Sequence, residues 1–190
     1  MGNAARKLYT IEDWMNLPDD DRCELIEGDL VYKNLSNADH SYAQSAIVTS
    51  IKQEYQYKRK GPKGWWIGTE MSVIYDGRPN GFSHDLAGWK KENYPEKPRG
   101  KKITQRPDWV CEILSENRKN DLNTKKWVLH EHRVPYYWLV DLELEMISVL
   151  EWAQKGYMTI LDAKKGEKMA LPPFDMKFDI SVLLGNEPEE

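Results

Sequence analysis

The chain has 190 residues, of which 40% are hydrophobic and 31% charged, a balance typical of one globular domain rather than of a disordered chain. No apolar run approaches the ~20 residues that a membrane helix needs, and the N-terminus lacks the apolar core of a signal peptide. The formal net charge of −4 excludes a uniformly basic nucleic-acid-binding protein. Because Cys23 and Cys111 are too few for a disulfide framework, we expect a cytoplasmic protein that folds as one domain over residues 1–190.

The N-terminal part of the chain predicts a short helix and then a β-hairpin. Residues 9–18 have the helix pattern, since Thr10 can cap the helix and Asp13 completes a capping box. Two short apolar runs follow, and a turn at Gly28–Asp29 separates them, as in a hairpin.

A longer helix is predicted over residues 39–58, with Asn37 or Asp39 as its cap. Strand-like runs follow it at residues 65–75, 82–90, 108–114, 136–142, 146–152 and 157–162. A helix over residues 120–133 joins the third run to the fourth, which fits a right-handed parallel crossover. We therefore predict an α/β fold: a mixed central β-sheet flanked by helices, with N-terminal and C-terminal β-hairpins. The tail that follows shows little regular pattern.

Glu112 is a carboxylate inside an apolar strand, on the same face as Val110 and Leu114. Burying it without a partner would cost several kcal/mol, the penalty of an unpaired buried charge. Asp108 lies on that face too, but roughly 13 Å away between Cα atoms, so the two side chains cannot share one metal ion. We expect a solvated or capping role for Asp108.

Asp85 is the better partner, because it also interrupts an apolar strand and precedes Glu112 by 27 residues, enough for a loop that returns a neighbouring strand. Carboxylates on adjacent strands can approach to ~4–5 Å, and a divalent cation resolves the repulsion between them. Two carboxylates, the Ile113 carbonyl and waters would form a site for Mg²⁺ or Mn²⁺.

The helix over residues 120–133 carries Lys125 and Lys126 between Leu122 and Leu129, which mark its expected buried face. A lysine that points at the sheet would meet the buried glutamate, and it could orient a water or stabilise phosphoryl charge. The alternative is that both lysines extend to solvent along a half-buried helix.

Two segments concentrate positive charge despite the acidic balance. Residues 97–106 hold five basic residues and no acid, and residues 58–63 hold four basic residues in six. Such segments are candidates for contacts with a phosphate backbone, and the alternative is a pair of solvated loops.

Together these motifs resemble the PD-(D/E)XK nuclease superfamily, which has the restriction-endonuclease-like fold, and within it a large group of bacterial proteins regarded as restriction endonucleases. The resemblance covers nearly the whole chain, and it depends on the order and spacing of segments rather than on one of them. The segments are YTIEDWMNLPDDDRCELIEGDLV, HDLAGW, PDWVCEILS, NDLNTKK, VPYYWLVD and FDISVLL.

The resemblance implies a role for four residues. It assigns the metal-binding pair to Asp85 and Glu112. The motif lysine would fall on Leu114, and the resemblance places it instead on the following helix, at Lys125. An N-terminal glutamate reaches the site in the wider superfamily, and it corresponds to Glu24.

Some positions depart from the pattern or stay open. His84 replaces the motif proline, which we expect to be harmless because the proline only shapes the strand entry. Leu129 stands where the group often has tyrosine, and Arg133 replaces a glycine. His40 could face the site, as a histidine of the family often does, and the alternative is a surface histidine at the start of a helix.

The sequence therefore predicts a metal-dependent endonuclease-like phosphodiesterase that hydrolyses the DNA backbone. Asp85 and Glu112 would bind Mg²⁺ or Mn²⁺, while Glu24 would assist the ion and Lys125 would position the attacking water. The alternative is a catalytically inactive nuclease-like domain that binds nucleic acid or a protein partner, which the net charge and the missing local lysine favour. Many relatives of this fold dimerise to cut two strands, which makes a homodimer a further expectation.

Overall fold

The computed structural model describes residues 7–18, 22–33, 37–59, 61–114 and 120–188. The helices are α1 (Ile11–Met15), α2 (Ala38–Ile51), α3 (Lys126–Glu131) and α4 (Ile180–Leu183). The strands are β1 (Cys23–Ile26), β2 (Asp29–Tyr32), β3 (Trp65–Tyr75), β4 (Asn80–Lys90), β5 (Trp109–Ile113), β6 (Tyr136–Asp141), β7 (Met146–Ala153), β8 (Gly156–Lys164), β9 (Lys168–Ala170) and β10 (Lys177–Asp179). Asp19–Asp21, Lys60 and Ser115, which belong to the segments discussed above, lie outside the described residues.

Eight of these strands form one sheet in the order β2-β1-β4-β5-β6-β7-β8, with β3 paired to β4. Strands β5 and β6 are parallel, with Trp109 opposite Tyr136 and Ile113 opposite Val140, which confirms the parallel pairing of the predicted crossover. The neighbouring pairs are antiparallel, and the sheet is therefore mixed, as predicted. The C-terminal tail forms a second sheet from β9 and β10, followed by α4; this part was missed because its strands have three residues each.

The large sheet branches at β4, which pairs with three strands, and we call this branch point the fork of the sheet. One edge of β4 pairs with β3 along its length, while β5 and β1 share the other edge, β5 beside Leu86–Gly88 and β1 beside Gly81. Between these two contacts, at residues 82–85, the described part of the chain places no strand against this second edge of β4. Gly81 permits the junction with β1, because a Cβ there would lie 2.2 Å from the Trp14 ring.

Local signals located the starts of α1 and α2 correctly and placed the first hairpin turn one residue too late. The Thr10–Asp13 capping box is present, and Asn37 rather than Asp39 caps α2 through its side chain. The first hairpin turns at Glu27–Gly28, one residue earlier than predicted, and both residues have the positive φ that such tight turns require.

The sheet separates two apolar clusters. Helix α2 and the C-terminal segment cover the cluster that contains Trp109 and Cys111 of β5, while α3 covers the cluster that contains Val110. Both cysteines are buried and neither forms a disulfide. Within the described residues, none of the helices has the length and hydropathy that a membrane crossing demands.

Candidate active site

Buried acids converge at the fork of the sheet because the backbone of β4 needs partners there. The Ser83 amide donates to Glu24 Oε1 at 3.1 Å, and the Ser83 carbonyl accepts from Lys33 Nζ at 2.8 Å. The pairing of β4 with β5 ends at Leu86 and Cys111. Beyond this pair, the Ile113 amide donates to Asp85 Oδ2 at 2.8 Å. Charged side chains thus bind the backbone groups of β4 that have no neighbouring strand at this edge.

Lys125 is the cation at the centre of the cluster. Its Nζ lies 2.9 Å from Glu24, 2.9 Å from Asp121 and 3.3 Å from Glu112. Burial lowers the pKa of Lys125, but Glu112 and Glu24 raise it well above its ordinary value, so the ammonium stays charged. Lys126 is partly exposed, which settles which of the two lysines faces the sheet.

The helix that carries Lys125 differs from the prediction. Residues 120–125 are π-helical and only the following residues are α-helical, so the 3.6-residue period does not hold across the segment. Leu122 was wrongly placed on the buried face: its exposed fraction is 38%, whereas Leu129 is fully buried.

Glu112 is enclosed between Lys125 and a histidine. His84 Nδ1 lies 2.5 Å from Glu112 Oε1, and His84 Nε2 lies 2.7 Å from the Tyr75 hydroxyl. Burial raises the pKa of Glu112 to about 8 and lowers the pKa of His84 to about 3, so at neutral pH the proton between them resides on the carboxyl. His84 therefore does more than replace the proline that shapes the strand entry, which corrects our expectation for this position.

Asp85, on the neighbouring strand β4, is held by Lys33 and His40. Its Oδ1 lies 3.1 Å from Lys33 Nζ, and its Oδ2 lies 3.1 Å from His40 Nε2. Burial raises the pKa of Asp85, but the His40 hydrogen bond and the Lys33 charge lower it well below its usual range. Burial likewise opposes the charge of Lys33, which Asp85 offsets, so the pKa of Lys33 is raised.

His40 is at the site and is not a surface residue, which decides between the two expectations for it. Its side chain is buried, and within the described residues its Nδ1 has no hydrogen-bond partner. A buried polar atom without a partner costs free energy, and such atoms mark places where a ligand or water belongs.

The cluster contains carboxylate oxygens, which are the type of ligand that a hard divalent cation prefers. The carboxylates of Glu24, Asp85, Glu112 and Asp121 surround the ammonium groups of Lys33 and Lys125. Four carboxylates and two ammonium groups leave an excess of two negative charges when all are ionised, and oxygen ligands are those that Mg²⁺ and Mn²⁺ prefer.

The geometry offers a pair of carboxylates rather than a complete cage. Among the described residues, no group of three or more His, Cys, Asp or Glu is arranged to hold an ion. Each oxygen of Asp85 and of Glu112 already has a protein partner. The contact that Ile113 makes with Asp85 is through its amide, whereas we had expected its carbonyl to be a ligand.

Asp108 is outside this cluster, as the spacing along β5 predicted. It accepts from the Lys90 amide and from Asn93 Nδ2, both at 2.8 Å. The capping role is therefore confirmed, and the solvated one is wrong because the exposed fraction of Asp108 is 1%.

A basic cleft of about 210 Å³ adjoins the cluster. The segment 97–106 runs along β3, where Ile103 pairs with Val73, and it brings Lys101 and Lys102 to the cleft. The side chains around the cleft include Arg22, Lys33, Glu70, Ser83, Lys101 and Lys102. Lys33 thus belongs to both the cleft and the cluster.

The other basic segment, residues 58–63, uses described side chains in ion pairs within the protein. Lys58 pairs with Glu54, and Arg59 pairs with Asp175 at 2.6 Å. A role for this segment in binding a phosphate backbone stays a prediction.

Sequence reasoning missed three residues of the cluster: Lys33, His84 as a partner of Glu112, and Asp121. Asp121 could have been found, because it precedes Lys125 by four residues and opposite charges at that spacing pair on a helix. Lys33 and His84 carry no local signal, since their partners come from distant strands.

Comparison with known proteins defines the class first. The crystal structure of a putative nuclease belonging to DUF820 from Anabaena variabilis matches with a TM-score of 0.72 at 20% sequence identity, covering 92% of this chain and 97% of that one. This likeness shows a shared α/β fold. The chain belongs to the Uma2 family, described as putative restriction endonuclease, whose model matches residues 8–182. The resemblance to the PD-(D/E)XK superfamily is thereby confirmed, and a search of curated proteins finds no match.

Proposed function

We propose that the protein is a divalent-metal-dependent phosphodiesterase that hydrolyses the DNA backbone. The observation that carries the proposal is the buried convergence of Glu24, Glu112 and Asp121 on Lys125, with Asp85 on the adjoining strand. Buried charge of this density is costly to a fold, and strongly perturbed acids and lysines cluster at functional sites. Membership of the family supports a nuclease-like activity.

Four residues of the cluster have a role in this proposal. Asp85 and Glu112 would hold Mg²⁺ or Mn²⁺, and Glu24 would assist beside them. When bound, the ion would supply Lewis-acid polarisation of the phosphoryl group and a lower pKa for water. Lys125, fixed by its carboxylate partners, would orient the attacking water and stabilise the charge that develops on the phosphate.

The basic cleft supports DNA as the substrate. Lys101 and Lys102 stand along the cleft that leads to the cluster, where they would contact phosphates of the backbone. Binding of this kind releases counterions, so the affinity for DNA would fall steeply as the salt concentration rises. The proposal places the protein in the cytoplasm, where Cys23 and Cys111 stay reduced.

The test is cleavage of plasmid DNA with Mg²⁺ or Mn²⁺ by the wild type, Asp85→Asn and Glu112→Gln. Asp108→Asn is the matched control, because it changes a buried acid of the same region that lies outside the cluster. We expect the wild type and the control to cleave, and the two site variants to lose at least about 100-fold in rate. Equal cleavage by all four preparations would reveal a contaminating nuclease and overturn the proposal.

One observation favours a second function, a non-catalytic nuclease-like domain that binds nucleic acid or a protein partner. Every oxygen of Asp85 and Glu112 has a protein partner, so the cluster is compensated without a cation. This function predicts salt-dependent DNA binding without cleavage and without a Mn²⁺ site. Calorimetric titration with Mn²⁺ separates the two, since the catalytic function needs a site that disappears in Glu112→Gln.

A further inference from the structure

Lys33 is the most accessible of the four basic side chains that contact the two carboxylates. The exposed fraction of its side chain is 25%, against 11% for His40, 3% for Lys125 and none for His84. Its ammonium is 3.1 Å from Asp85 Oδ1 and 2.8 Å from the Ser83 carbonyl. Of the four partners, Lys33 can therefore leave at the smallest cost in packing.

The oxygen that Lys33 covers is also the one most open to a cation. Asp85 Oδ2 contacts both His40 and the Ile113 amide, whereas Oδ1 accepts a hydrogen bond from Lys33. An ion bound to Oδ1 at the usual distance of roughly 2.1 Å would lie within about 5 Å of the ammonium. Two cations this close repel strongly in a site with little water, so they compete for Asp85.

The cleft gives the displaced ammonium a place to go. Lys33 lies at the cleft together with Arg22, Lys101 and Lys102, and among the described residues that line it Glu70 is the one acid. A lysine side chain has four flexible carbons, which lets the ammonium turn from Asp85 toward the cleft without a change in the backbone. A phosphate in the cleft would stabilise that second position.

We propose that Lys33 occupies the place of the divalent cation at Asp85 until a phosphate of bound nucleic acid draws the ammonium into the cleft. Nucleic-acid binding and metal binding then strengthen one another, and by linkage the factor is the same in both directions. The inference rests on the metal-dependent function proposed above, and it makes Lys33 a positioning residue that couples substrate binding to metal loading.

The test is calorimetric titration of the full chain with Mn²⁺, with and without a phosphorothioate DNA duplex that resists cleavage. Lys33→Met removes the competing charge, and Lys33→Arg keeps it. Lys101→Met is the matched control, because it removes a charge from the cleft without touching Asp85. Without DNA, we expect Lys33→Met to bind Mn²⁺ at least tenfold more tightly than the wild type, and the other two variants to resemble the wild type. With DNA, the wild type should gain severalfold in affinity for Mn²⁺ and Lys33→Met should gain little.

Each contrary outcome points to a different failure. Equal Mn²⁺ affinity in the wild type and Lys33→Met, with binding lost in Glu112→Gln, overturns the competition and leaves the metal-dependent function standing. Weaker binding by Lys33→Met would assign Lys33 a structural role and also overturn it. An equal gain from DNA in the two proteins overturns the coupling. No Mn²⁺ binding by any of them overturns the metal-dependent function and this inference with it.

Discussion

Asp108 and Glu112 are two buried acids at opposite ends of one strand, and they are held in different ways. Asp108 accepts from a backbone amide and a side-chain amide, with the half-exposed Arg106 at 3.7 Å. Glu112 is enclosed by His84 and Lys125, and Lys125 is itself shared with other acids. The partners of Asp108 satisfy a single carboxylate. Around Glu112, in contrast, several acids and bases lie together, more than one ion pair requires.

The kind of partner, rather than burial, therefore separates a structural acid from a functional one in this protein. Two amide donors hold Asp108, and the Arg106 guanidinium 3.7 Å away matches its single charge. The Glu112 end has more acids than cations, and the surplus suits a ligand that carries positive charge. The comparison can be tested by changing each end separately.

Replacing the shared cation should have the largest effect. Lys125→Met leaves Glu24 and Asp121 buried without their shared cation, so we expect the free energy of unfolding to fall by about 3–5 kcal/mol. Urea unfolding followed by circular dichroism measures it. Lys126→Met, the neighbouring and partly exposed lysine, should change the value by less than about 0.5 kcal/mol. Similar small losses in both variants would mean that the acids hold protons and that Lys125 is not what compensates them.

Changing the two acids to their amides should separate stability from activity. Asp108→Asn turns an acceptor into a donor that faces the Lys90 amide or Asn93, so we expect a loss of about 1–3 kcal/mol in stability with cleavage retained. Glu112→Gln should lose cleavage at least about 100-fold with a smaller loss of stability, because the carboxyl is already neutral near pH 7. Unfolding and cleavage measured on the same preparations check both. If Asp108→Asn loses cleavage while remaining folded, the distinction between the two ends fails.

Local patterns predicted the parts of this comparison that depend on one strand. The rise per residue along β5 sufficed to separate Asp108 from Glu112, and the interruption of an apolar run identified Asp85 on β4. These features are set by neighbouring residues, so the sequence carries them directly. The capping box at Thr10 was accessible for the same reason.

The fork of the sheet could not be predicted in this way. It depends on β1 and β5 sharing one edge of β4, which is a tertiary arrangement, and it brings Lys33 and His84 to acids far away in the chain. The position of Lys125 was predicted from the resemblance. The π-helical turn that contains it was not predicted, because it departs from the 3.6-residue pattern. Positive charge in residues 97–106 was visible, but only the pairing of Ile103 with Val73 shows that this segment borders the cleft.

The dependence of stability on pH, a small change per pH unit, offers the most specific test of the Glu112 end. In the metal-free protein the pKa of Glu112 is raised to about 8, first by burial and then by Asp85, although Lys125 opposes the shift. The unfolded chain releases this proton near its ordinary pKa of 4.5, while the native protein keeps it. The stability that this group contributes is therefore complete below about pH 4.5 and is lost as the pH rises toward 8, by about 1.4 kcal/mol per pH unit.

Glu112→Gln is neutral at every pH and lacks this loss. We therefore expect the difference in unfolding free energy, wild type minus Glu112→Gln, to decrease steadily from pH 5 to pH 8 in a chelating buffer. Lys126→Met, as the control, should run parallel to the wild type. A Glu112→Gln curve that is also parallel to the wild type would show that Lys125 keeps Glu112 ionised in the metal-free protein. In that case the site would hold its charge ready for a cation, and metal affinity would not depend on the release of a proton from Glu112.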